Sequence, residues 1–315
     1  MFDKIITVCL NPSFDVTIWI DNFDFSEPVK AVREEVYAGG KAINVSKALT
    51  SLEVPNKCVG ILGKDNSEKF LSLLNGFEFQ HILIDGEIRN NFSIVSKENT
   101  MLKVNRNGFS ISKSLLDNIQ TIIKNNISTA KNPIIIFSGS LPTGITKEDY
   151  IALIKVFCDK VKVCIDSDCL TVKDLKEIKP FLIKPNKVEF NKLADISFTD
   201  LQDIIEYSKT LSPYITHLLI SLSDDGLLYI GNSKAYWCKA PKVNVLSTVG
   251  AGDTTLAGFI YGIEKEMPIE DAIKFATACG TVSVTLEGTA TIEKSQVYNF
   301  LSSMPDLELV KYDLY

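Results

Sequence analysis

The sequence predicts an α/β fold in which helices cover both faces of a mostly parallel sheet and a small antiparallel β-sheet forms a lid. From about residue 56 onward, short apolar segments typical of strands alternate with segments typical of helices, a pattern that builds parallel sheets. Two other stretches, 15–38 and 90–105, have strand-like patterns without an intervening helix. At 315 residues the chain also exceeds the usual domain size of about 100 to 150 residues, so one large α/β domain with an insertion, or two domains, is expected.

Four pairs of a strand and a helix follow one another in the predicted main domain. KCVGILG precedes NSEKFLSLLN, PIIIFSG precedes TKEDYIALIKVFCDK, VKVCIDS precedes TVKDLKEI, and FLIKP precedes NKVEFNKLAD. Open parallel sheets bind ligands at the carboxyl ends of their strands. Three of these strands end in polar residues that we therefore expect near a ligand: SGSLP at 138–142, DSD at 166–168 and KPN at 184–186.

The two helix-free stretches set the predicted domain boundaries. The main α/β domain is expected to contain residues 1–10, 39–87 and 107–315. The lid is expected to contain residues 11–38 and 88–106, inserted in the main domain. Such a sheet could close over the strand ends, form a dimer surface, or do both.

Composition and charge argue against several classes of protein. The chain is 45% hydrophobic and 23% charged, and it contains no apolar run of the roughly 18 to 20 residues that span a bilayer. Its first residues, MFDKIITVCLNP, reach a turn signal too soon for a signal peptide, so a soluble cytoplasmic protein without membrane contact is expected. A net charge of −6 argues against nucleic acid as a partner.

Cysteine and histidine usage argues against a metal or redox centre built on these residues. The seven cysteines form no C-x-x-C pair and lie mostly in apolar stretches, which indicates reduced core thiols. The chain has two histidines, His81 and His217, so neither a histidine-centred triad nor a zinc site is expected.

The segment STVGAGDTTLAGF, residues 247–259, matches neither of the two common phosphate-binding loops. A P-loop needs a lysine after its second glycine, and none follows Gly258. A dinucleotide-binding fingerprint needs a third glycine where Thr255 stands, which also argues against a dehydrogenase. What remains is a tight glycine turn at the start of a helix, where backbone N–H groups suit an anion.

A single carboxylate, Asp253, follows this turn and has two interpretations. It is either the N-cap of the helix, or the group that aligns and deprotonates an attacking hydroxyl during phosphoryl transfer from ATP. In the second interpretation the amides of Ala251, Gly252 and Asp253 bind the transferring phosphoryl group. The turn then serves the phosphate and the acid serves the incoming alcohol.

Two loops contain candidate sugar-binding residues. YAGGKAINVSKAL, residues 37–49, places Asn44 near a helix start, where its amide either holds a sugar hydroxyl or makes a local cap. LNPSFDV, residues 10–16, places Asn11 and Asp15 after the first strand. Asp15 there either binds vicinal hydroxyls or is an ordinary loop acid in a turn.

Two cations lie at the borders of the second predicted insert. Arg89 and Lys103 occur in strand-like segments, where exposed basic residues are usually only solvated. A hexose phosphate, however, requires more than one such cation. Both residues are therefore candidates for binding a phosphate that the sugar already carries.

The chain is similar over nearly its full length to the ribokinase-like PfkB sugar kinases. Six motifs occur in the family's order: NPSFD, AGGKAINVSKAL, RNN, SGSLP, KPNKVEF and TVGAGDTTLAGF. TVCLNPSFDVT and GGKAINV most resemble the branch that contains 1-phosphofructokinase, tagatose-6-phosphate kinase and the minor 6-phosphofructokinase. The resemblance implies a ribokinase-like fold with a β-sheet lid that is often also the dimer interface.

The resemblance also implies a role for each matching residue. The catalytic base would be Asp253, with an anion hole made by Gly250, Ala251 and Gly252. Together with Asn11 and Lys103, the substrate-binding residues would be Asp15, Gly39, Gly40, Lys41, Asn44, Arg89 and Ser140, with the phosphate held by Lys41, Arg89 and Ser140. The residues around ATP would be Lys184, Asn186, Glu189, Ser221, Ser223 and Thr248. Glu189 would hold Mg²⁺ through water.

The chain departs from the family's motifs in four places. Its glycine loop reads Gly39-Gly40-Lys41-Ala42 instead of GGKG, and its D-T-S-G stretch reads DSDC at 166–169. The S-L-G loop reads SLS at 221–223, and a proline-containing E-x-G-P-like run is replaced by VNRNG at 104–108. The kinase chemistry is expected to survive these changes, and the motifs do not fix which ketohexose phosphate is the acceptor.

The implied activity is the ATP- and Mg²⁺-dependent phosphorylation of a ketohexose phosphate. The expected reaction converts fructose 1-phosphate to fructose 1,6-bisphosphate, and tagatose 6-phosphate is the alternative acceptor. Further alternatives are a kinase for a non-phosphorylated sugar or a nucleoside, and a noncatalytic sugar-phosphate sensor.

Overall fold

The computed structural model describes residues 1–74, 76–98, 100–304 and 307–313, and within these ranges the chain forms two β-sheets. The large sheet contains β1 (Lys4–Cys9), β4 (Lys57–Gly63), β5 (Glu78–Ile84), β8 (Pro133–Ser138), β9 (Lys162–Asp166), β10 (Leu182–Ile183), β11 (His217–Ser221), β12 (Leu227–Gly231), β13 (Lys234–Cys238) and β14 (Leu309–Asp313). The small sheet contains β2 (Ser13–Ile20), β3 (Ala31–Gly39), β6 (Arg89–Ser96) and β7 (Met101–Val104).

The large sheet is mostly parallel, as predicted. Its strand order is β14-β13-β12-β11-β10-β9-β8-β1-β4-β5. Every pairing from β11 to β5 is parallel, and the pairings from β11 to β14 are antiparallel. All six residues of β8, PIIIFS, are buried, because a central parallel strand is covered on both faces.

Helices cover both faces of the large sheet. They are α1 (Lys41–Ser51), α2 (Ser67–Ser72), α3 (Lys113–Ile127), α4 (Lys147–Cys158), α5 (Val172–Ile178), α6 (Lys187–Ala194), α7 (Leu201–Lys209), α8 (Ala251–Glu264), α9 (Ile269–Val284) and α10 (Lys294–Ser303). The four predicted strand–helix pairs, β4 with α2, β8 with α4, β9 with α5 and β10 with α6, are confirmed, whereas along the described chain β11, β12 and β13 follow one another without an intervening α-helix.

Two hydrophobic clusters lie on opposite faces of the sheet because side chains alternate along a strand. Phe137 of β8 packs in one cluster with Ile154 of α4. Its neighbour Ile136 packs in the other cluster with Phe259 of α8. The second cluster fixes the position of α8, the helix that follows the glycine turn.

Local sequence signals set two of the helix starts. Thr146 and Asp149 form a reciprocal capping box at α4. Asn186 and Glu189 form the same box at α6: the Asn186 side chain accepts from the Glu189 N–H, and Glu189 Oε2 accepts from the Asn186 N–H at 2.9 Å. Both boxes satisfy N–H groups that a helix start leaves without partners.

The small sheet has the order β3-β2-β6-β7. Its two outer pairings are antiparallel, and the central pairing of β2 with β6 is parallel, with Ser13 opposite Arg89. A hairpin fixes antiparallel pairing only between neighbouring strands. Because residues 21–88 separate β2 from β6, nothing in the local sequence sets the direction of that pair.

The cysteines and His217 have structural roles. All seven cysteines are free thiols, most of them buried. His217 is buried and shares a hydrogen bond of 2.9 Å between its Nδ1 and the Tyr229 hydroxyl. In the described parts of the chain, no helix has the length and apolarity to cross a membrane.

Candidate active site

The glycine turn at residues 250–252 opens helix α8. Gly250 has a φ of 79°, in the left-handed region that glycine adopts readily, and it occupies the N-cap position. No side chain caps this end of the helix, a geometry that suits an anion at the first backbone N–H groups. Asp253 lies inside the first turn instead. The interpretation of Asp253 as the N-cap is therefore wrong, because Gly250 takes that position.

Asp253 makes a hydrogen bond to a distant helix. Its side chain is buried, with the residue only 6% exposed. Asn44 Nδ2, near the start of α1, donates to Asp253 Oδ2 at 2.8 Å across a sequence separation of 209 residues. The bond exists because α1 and α8 pack against each other on one face of the sheet. It fixes the orientation of the Asp253 carboxylate.

Four charged residues form a strand-end charge cluster beside Asp253: Lys41, Asp166, Lys184 and Glu189. Asp166 ends β9 and is fully buried, and its Oδ1 lies 3.1 Å from Lys41 Nζ. Lys41 Nζ also lies 3.1 Å from Glu189 Oε1, and Lys184 Nζ lies 3.6 Å from Asp166 Oδ2. Ser138, at the end of β8, donates to Asp166 Oδ2 at 3.3 Å. The carboxyl ends of three adjacent strands thus converge on Asp166.

Charges in this cluster shift the pKa values of two buried acids, Asp253 and Asp166, in opposite directions. Burial and the neighbouring negative charge of Asp166 raise the pKa of Asp253 to about 7, although Lys41, Asn44 and Lys184 oppose the shift. Burial also opposes ionisation of Asp166, yet Lys184 and Lys41 hold the pKa of Asp166 below its usual value. Asp166 is therefore a fixed negative charge, and Asp253 exchanges a proton near neutral pH.

Lys184 lies directly against the glycine turn. A Cβ atom added at Gly252 would be 3.0 Å from Lys184 Nζ, so the ammonium group is in contact with the backbone of the turn. An anion at the N–H groups of α8 would consequently lie near the Lys184 charge.

A second group, the Arg89 cluster, consists of Asn11, Arg89 and Ser140. Arg89 Nη2 donates to Ser140 Oγ at 3.2 Å and to the Asn11 carbonyl at 3.3 Å. Asn11 Nδ2 donates to Ser140 Oγ at 3.2 Å and to the Leu141 carbonyl at 3.2 Å. The end of β1 and the start of β6 are joined in this way to the loop that follows β8.

Asp15 lies on β2, between the Arg89 cluster and the glycine pair. It accepts from Ser13 Oγ at 2.8 Å and from Asn91 Nδ2 at 3.4 Å, and burial raises its pKa. A Cβ atom at Gly39 would be 2.0 Å from Asp15 Oδ2, so only glycine fits there. The glycine pair brings the backbone against this carboxylate.

Comparison with known proteins identifies the family. Residues 10–296 match the model of the pfkB family carbohydrate kinases. The chain belongs to this family. The 1-phosphofructokinase of Borreliella burgdorferi is 31% identical to this kinase over 283 residues, which are 89% of this chain and 91% of that protein. The 1-phosphofructokinase of Bacillus subtilis is 28% identical over 293 residues, 92% of this chain and 95% of that protein.

Solved structures confirm the fold of this pfkB kinase. Phosphofructokinase-2 from Escherichia coli in complex with substrates and products superposes with a TM-score of 0.87 at 20% identity, covering 96% of this chain and 99% of that one. The same enzyme in complex with fructose 6-phosphate has a TM-score of 0.85 at 18% identity, with 97% and 100% covered. The predicted ribokinase-like fold is confirmed.

Two further candidates for the ATP site, Ser221 and Ser223, lie at the end of β11 and just after it. Ser221 ends β11, where its backbone pairs with that of Asn186, and its buried hydroxyl has no hydrogen-bond partner in the described parts of the chain. Ser223 begins a short 3₁₀ turn with a φ of 58°. Within the described ranges no hydrogen bond joins either serine to Asp253.

Three other candidates lie at the borders of the site. Gly40 is the N-cap of α1, with a φ of 113°. Lys41 contacts the acids of the strand-end charge cluster, and within the ranges described it has no hydrogen bond to the Arg89 cluster. Lys103 of β7 reaches Thr248 Oγ1 at 3.5 Å, so the small sheet touches the segment that leads into α8.

Three residues near the site are not among the candidates from sequence. The sequence indicates Asp166 only as a polar strand end, although a charged residue directly after a buried strand is a usable signal. Asn91 binds Asp15, and Lys47 donates to the Ala38 carbonyl. Burial lowers the pKa of Lys47 to about 8, although Asp15 opposes the shift. A lysine on the apolar face of α1 is the signal that could have found Lys47.

Proposed function

We propose that this kinase transfers the terminal phosphoryl group of ATP to the 6-hydroxyl of fructose 1-phosphate, giving fructose 1,6-bisphosphate and ADP. The observation that carries the proposal is a buried carboxylate, Asp253, at a glycine turn that also contacts Lys184. Relatives named 1-phosphofructokinase that span nearly the whole chain support the choice of acceptor.

Asp253 is proposed as the general base. It would orient the 6-hydroxyl and accept its proton while the hydroxyl oxygen forms a bond to phosphorus and the bond to the ADP oxygen breaks. A pKa near 7 suits this role, because about half of the carboxylates are then ionised at neutral pH and are still basic enough to take a proton. Asn44 would keep the carboxylate aimed at the hydroxyl.

The glycine turn is proposed to bind the transferring phosphoryl group. The amides of Ala251, Gly252 and Asp253 would donate to its oxygens, and Lys184 would balance part of its charge. Asp166 would keep Lys184 in place through their ion pair. None of these groups needs a large movement to act, so the electrostatic stabilisation is preorganised.

The donor set near Lys184 fits Mg²⁺. Mg²⁺ is usually held by one or two carboxylates together with waters and substrate phosphates. Asp166 at the end of β9 and Glu189 in the first turn of α6 offer carboxylate oxygens on either side of Lys41. Glu189, acting through water, is the proposed protein group, and Mg²⁺ when bound would neutralise phosphate charge.

The Arg89 cluster is proposed to bind the phosphate that the sugar already carries. The guanidinium and the Ser140 hydroxyl offer donors to phosphate oxygens, and Lys103 adds a cation from the small sheet. Asp15 and the backbone at Gly39 and Gly40 would bind sugar hydroxyls, as would Asn44. Ser221, Ser223, Thr248 and Asn186 would line the ATP site.

A panel of acceptors tests the proposal. ADP release is measured with fructose 1-phosphate, fructose 6-phosphate, tagatose 6-phosphate and ribose, and the product is identified by ³¹P NMR. We expect kcat/KM for fructose 1-phosphate to exceed that for the others by about 10-fold or more. A preference for tagatose 6-phosphate would mean that this sugar phosphate is the acceptor. A preference for ribose would mean that the Arg89 cluster does not bind a phosphate of the acceptor. Binding without ADP release would indicate a noncatalytic sensor.

The proposed setting is a cytoplasmic enzyme that dimerises through the small sheet. Val32, Leu102 and Val104 of this sheet are 64%, 45% and 44% exposed, an apolar surface that a second copy would cover. Light scattering coupled to size exclusion should give twice the monomer mass, and Leu102→Glu should reduce it to the monomer. A monomeric wild type would contradict this assignment.

A further inference from the structure

The segment after β7 runs directly against the Arg89 cluster. Arg89 Nη1 donates to the Arg106 carbonyl at 2.7 Å, and Asn11 Nδ2 donates to the Asn107 carbonyl at 3.4 Å. The Arg106 N–H in turn donates to Asn91 Oδ1 at 3.3 Å. Residues 106–108 therefore hold both side chains of the cluster through backbone atoms. We call these three residues the backbone bracket.

Gly108 is the residue of the backbone bracket that lies closest to the Asn11 and Arg89 side chains. Its φ is +81°, and a Cβ atom there would be 2.8 Å from Asn11 Oδ1 and 3.3 Å from Arg89 Cδ. The first distance is shorter than real Cβ contacts, so a side chain at this position would displace Asn11, Arg89 or the bracket. Both the backbone conformation and the space therefore call for glycine.

The side chains beneath Gly108 still have unused hydrogen-bonding capacity. Asn11 is only 6% exposed, and its Nδ2 has three acceptors, which fixes the orientation of the amide. Its Oδ1 and Arg89 Nε are buried without a partner in the parts of the chain described here. Buried polar atoms of this kind cost stability unless a ligand completes their bonds. A phosphate oxygen can accept from Arg89 Nε, whereas Asn11 Oδ1 accepts and requires a hydroxyl donor. The bracket therefore shares the positioning of the two side chains with Ser140 and Leu141.

Resting on the proposed function, we propose that the backbone bracket orients Arg89 for the phosphate of the sugar, with Asn11 held beside it, and that Gly108 is the positioning residue that allows it. The carbonyls of residues 106 and 107 accept hydrogen bonds from Arg89 and Asn11, so that the Arg89 guanidinium presents its charge to the ligand in one orientation. Preorganised donors bind an anion more tightly than mobile ones, because less conformational entropy is lost on binding.

Gly108→Ala tests the bracket, and Gly76→Ala is its matched control. Gly76 has a φ of +82°, and a Cβ atom there would meet nothing within 4 Å, so the two substitutions share the backbone cost and differ only in contacts. We expect Gly108→Ala to raise KM for fructose 1-phosphate about 10-fold or more while KM for ATP changes less than about 2-fold. Gly76→Ala should leave both constants unchanged. Equal increases in both, or no change, would overturn the proposal.

Two further variants test whether the effect comes from the backbone of the bracket or from a side chain. Arg106→Ala removes the side chain and keeps the carbonyl, so KM should stay within about 2-fold of wild type. A larger increase would mean that the Arg106 side chain, and not the backbone, serves the phosphate. Asn11→Ala removes the closest contact, so adding Gly108→Ala to it should cost less than adding it to wild type. If Gly108→Ala and the double variant both fail to fold while Gly76→Ala folds, the Asn11 contact is not the reason for glycine.

Failure of the bracket can be distinguished from failure of the proposed function. If wild type phosphorylates another acceptor phosphate, the same constants are measured with that acceptor. If wild type releases no ADP with any acceptor, binding of fructose 1-phosphate is measured by calorimetry. Weaker binding by Gly108→Ala than by Gly76→Ala would still support the bracket, and equal binding would overturn it.

Discussion

The two charged regions of the site differ in how their charges are balanced. In the strand-end charge cluster, Lys41 and Lys184 both face the buried Asp166, and the acids Asp166 and Glu189 raise the pKa of Lys41. In the Arg89 cluster the guanidinium meets carbonyls and a hydroxyl, and burial lowers the pKa of Arg89. Across the described residues no carboxylate forms an ion pair with it.

This difference predicts different tasks for the two regions. A cation with a buried counterion is held in one position, and the counterion offsets part of its attraction for a further anion. A half-buried guanidinium without a counterion gains from any anion that reaches it. The strand-end charge cluster should therefore control catalysis through the charge around Asp253, and the Arg89 cluster should control substrate affinity.

The largest expected effect comes from Asp253→Asn. Loss of a general base lowers kcat by about 10²- to 10⁴-fold, while KM for both substrates should change little, because the amide keeps the shape of the carboxylate. Steady-state kinetics measure this change. Asp271→Asn, an exposed acid in the first turn of α9, is the control and should leave kcat unchanged. A kcat within a factor of a few of wild type would remove Asp253 from the reaction.

The same variant should stabilise the fold at alkaline pH. The pKa of Asp253 is raised in the folded state, so its contribution to stability is complete below its unfolded pKa and lost as pH rises through about 7. At pH 8 wild type therefore buries a charge that Asp253→Asn lacks. Thermal unfolding at pH 8 should show a higher Tm for the variant, and a lower Tm would contradict the burial argument.

The next effect concerns the Arg89 cluster. Arg89→Gln should raise KM for the sugar phosphate by about 10- to 100-fold with kcat and KM for ATP nearly unchanged, since charge-assisted hydrogen bonds to phosphate are lost. Lys155→Gln, which removes a charge paired with Glu177 on the surface, is the control. If a free sugar and its phosphate are affected equally, the cluster does not bind phosphate and the comparison fails.

A third experiment shifts the pH profile instead of the affinity. The acid limb of kcat/KM should lie near pH 7, where the Asp253 carboxylate forms. Asp166→Asn removes the neighbouring negative charge, which lowers the pKa of Asp253 and moves this limb to lower pH. Asp168→Asn, an exposed acid two residues away that pairs with Lys192, should leave the limb in place. A limb that moves to higher pH would contradict the proposed coupling.

The smallest expected effect is at Lys103. This lysine is exposed and reaches Thr248 at 3.5 Å, so Lys103→Ala should raise KM for the sugar phosphate by only about 2- to 5-fold. Lys97→Ala, another lysine beside the small sheet, pairs with Asp21 and should have no effect. An effect of Lys103→Ala as large as that of Arg89→Gln would make the small sheet a principal part of the phosphate site.

Much of the fold follows from local sequence signals. Buried runs such as PIIIFS in β8 and capping pairs such as Asn186 with Glu189 indicate the strands and helices that the structure contains. These signals act within a few residues, so periodicity and capping chemistry are sufficient to find them. The parallel pairing of β2 with β6 was not predictable in this way, because it joins strands that are far apart along the chain.

The amino-acid sequence by itself determined the fold class, the family and the identity of Asp253 as the exceptional acid. Only the tertiary structure decided what surrounds that acid: an amide from α1, a buried aspartate at the end of β9, and lysines that balance it. An aspartate in the first turn of a helix looks the same locally whether it caps the helix or serves a reaction. Its pKa and its partners depend on burial and on charges that are brought near it only when the sheet assembles.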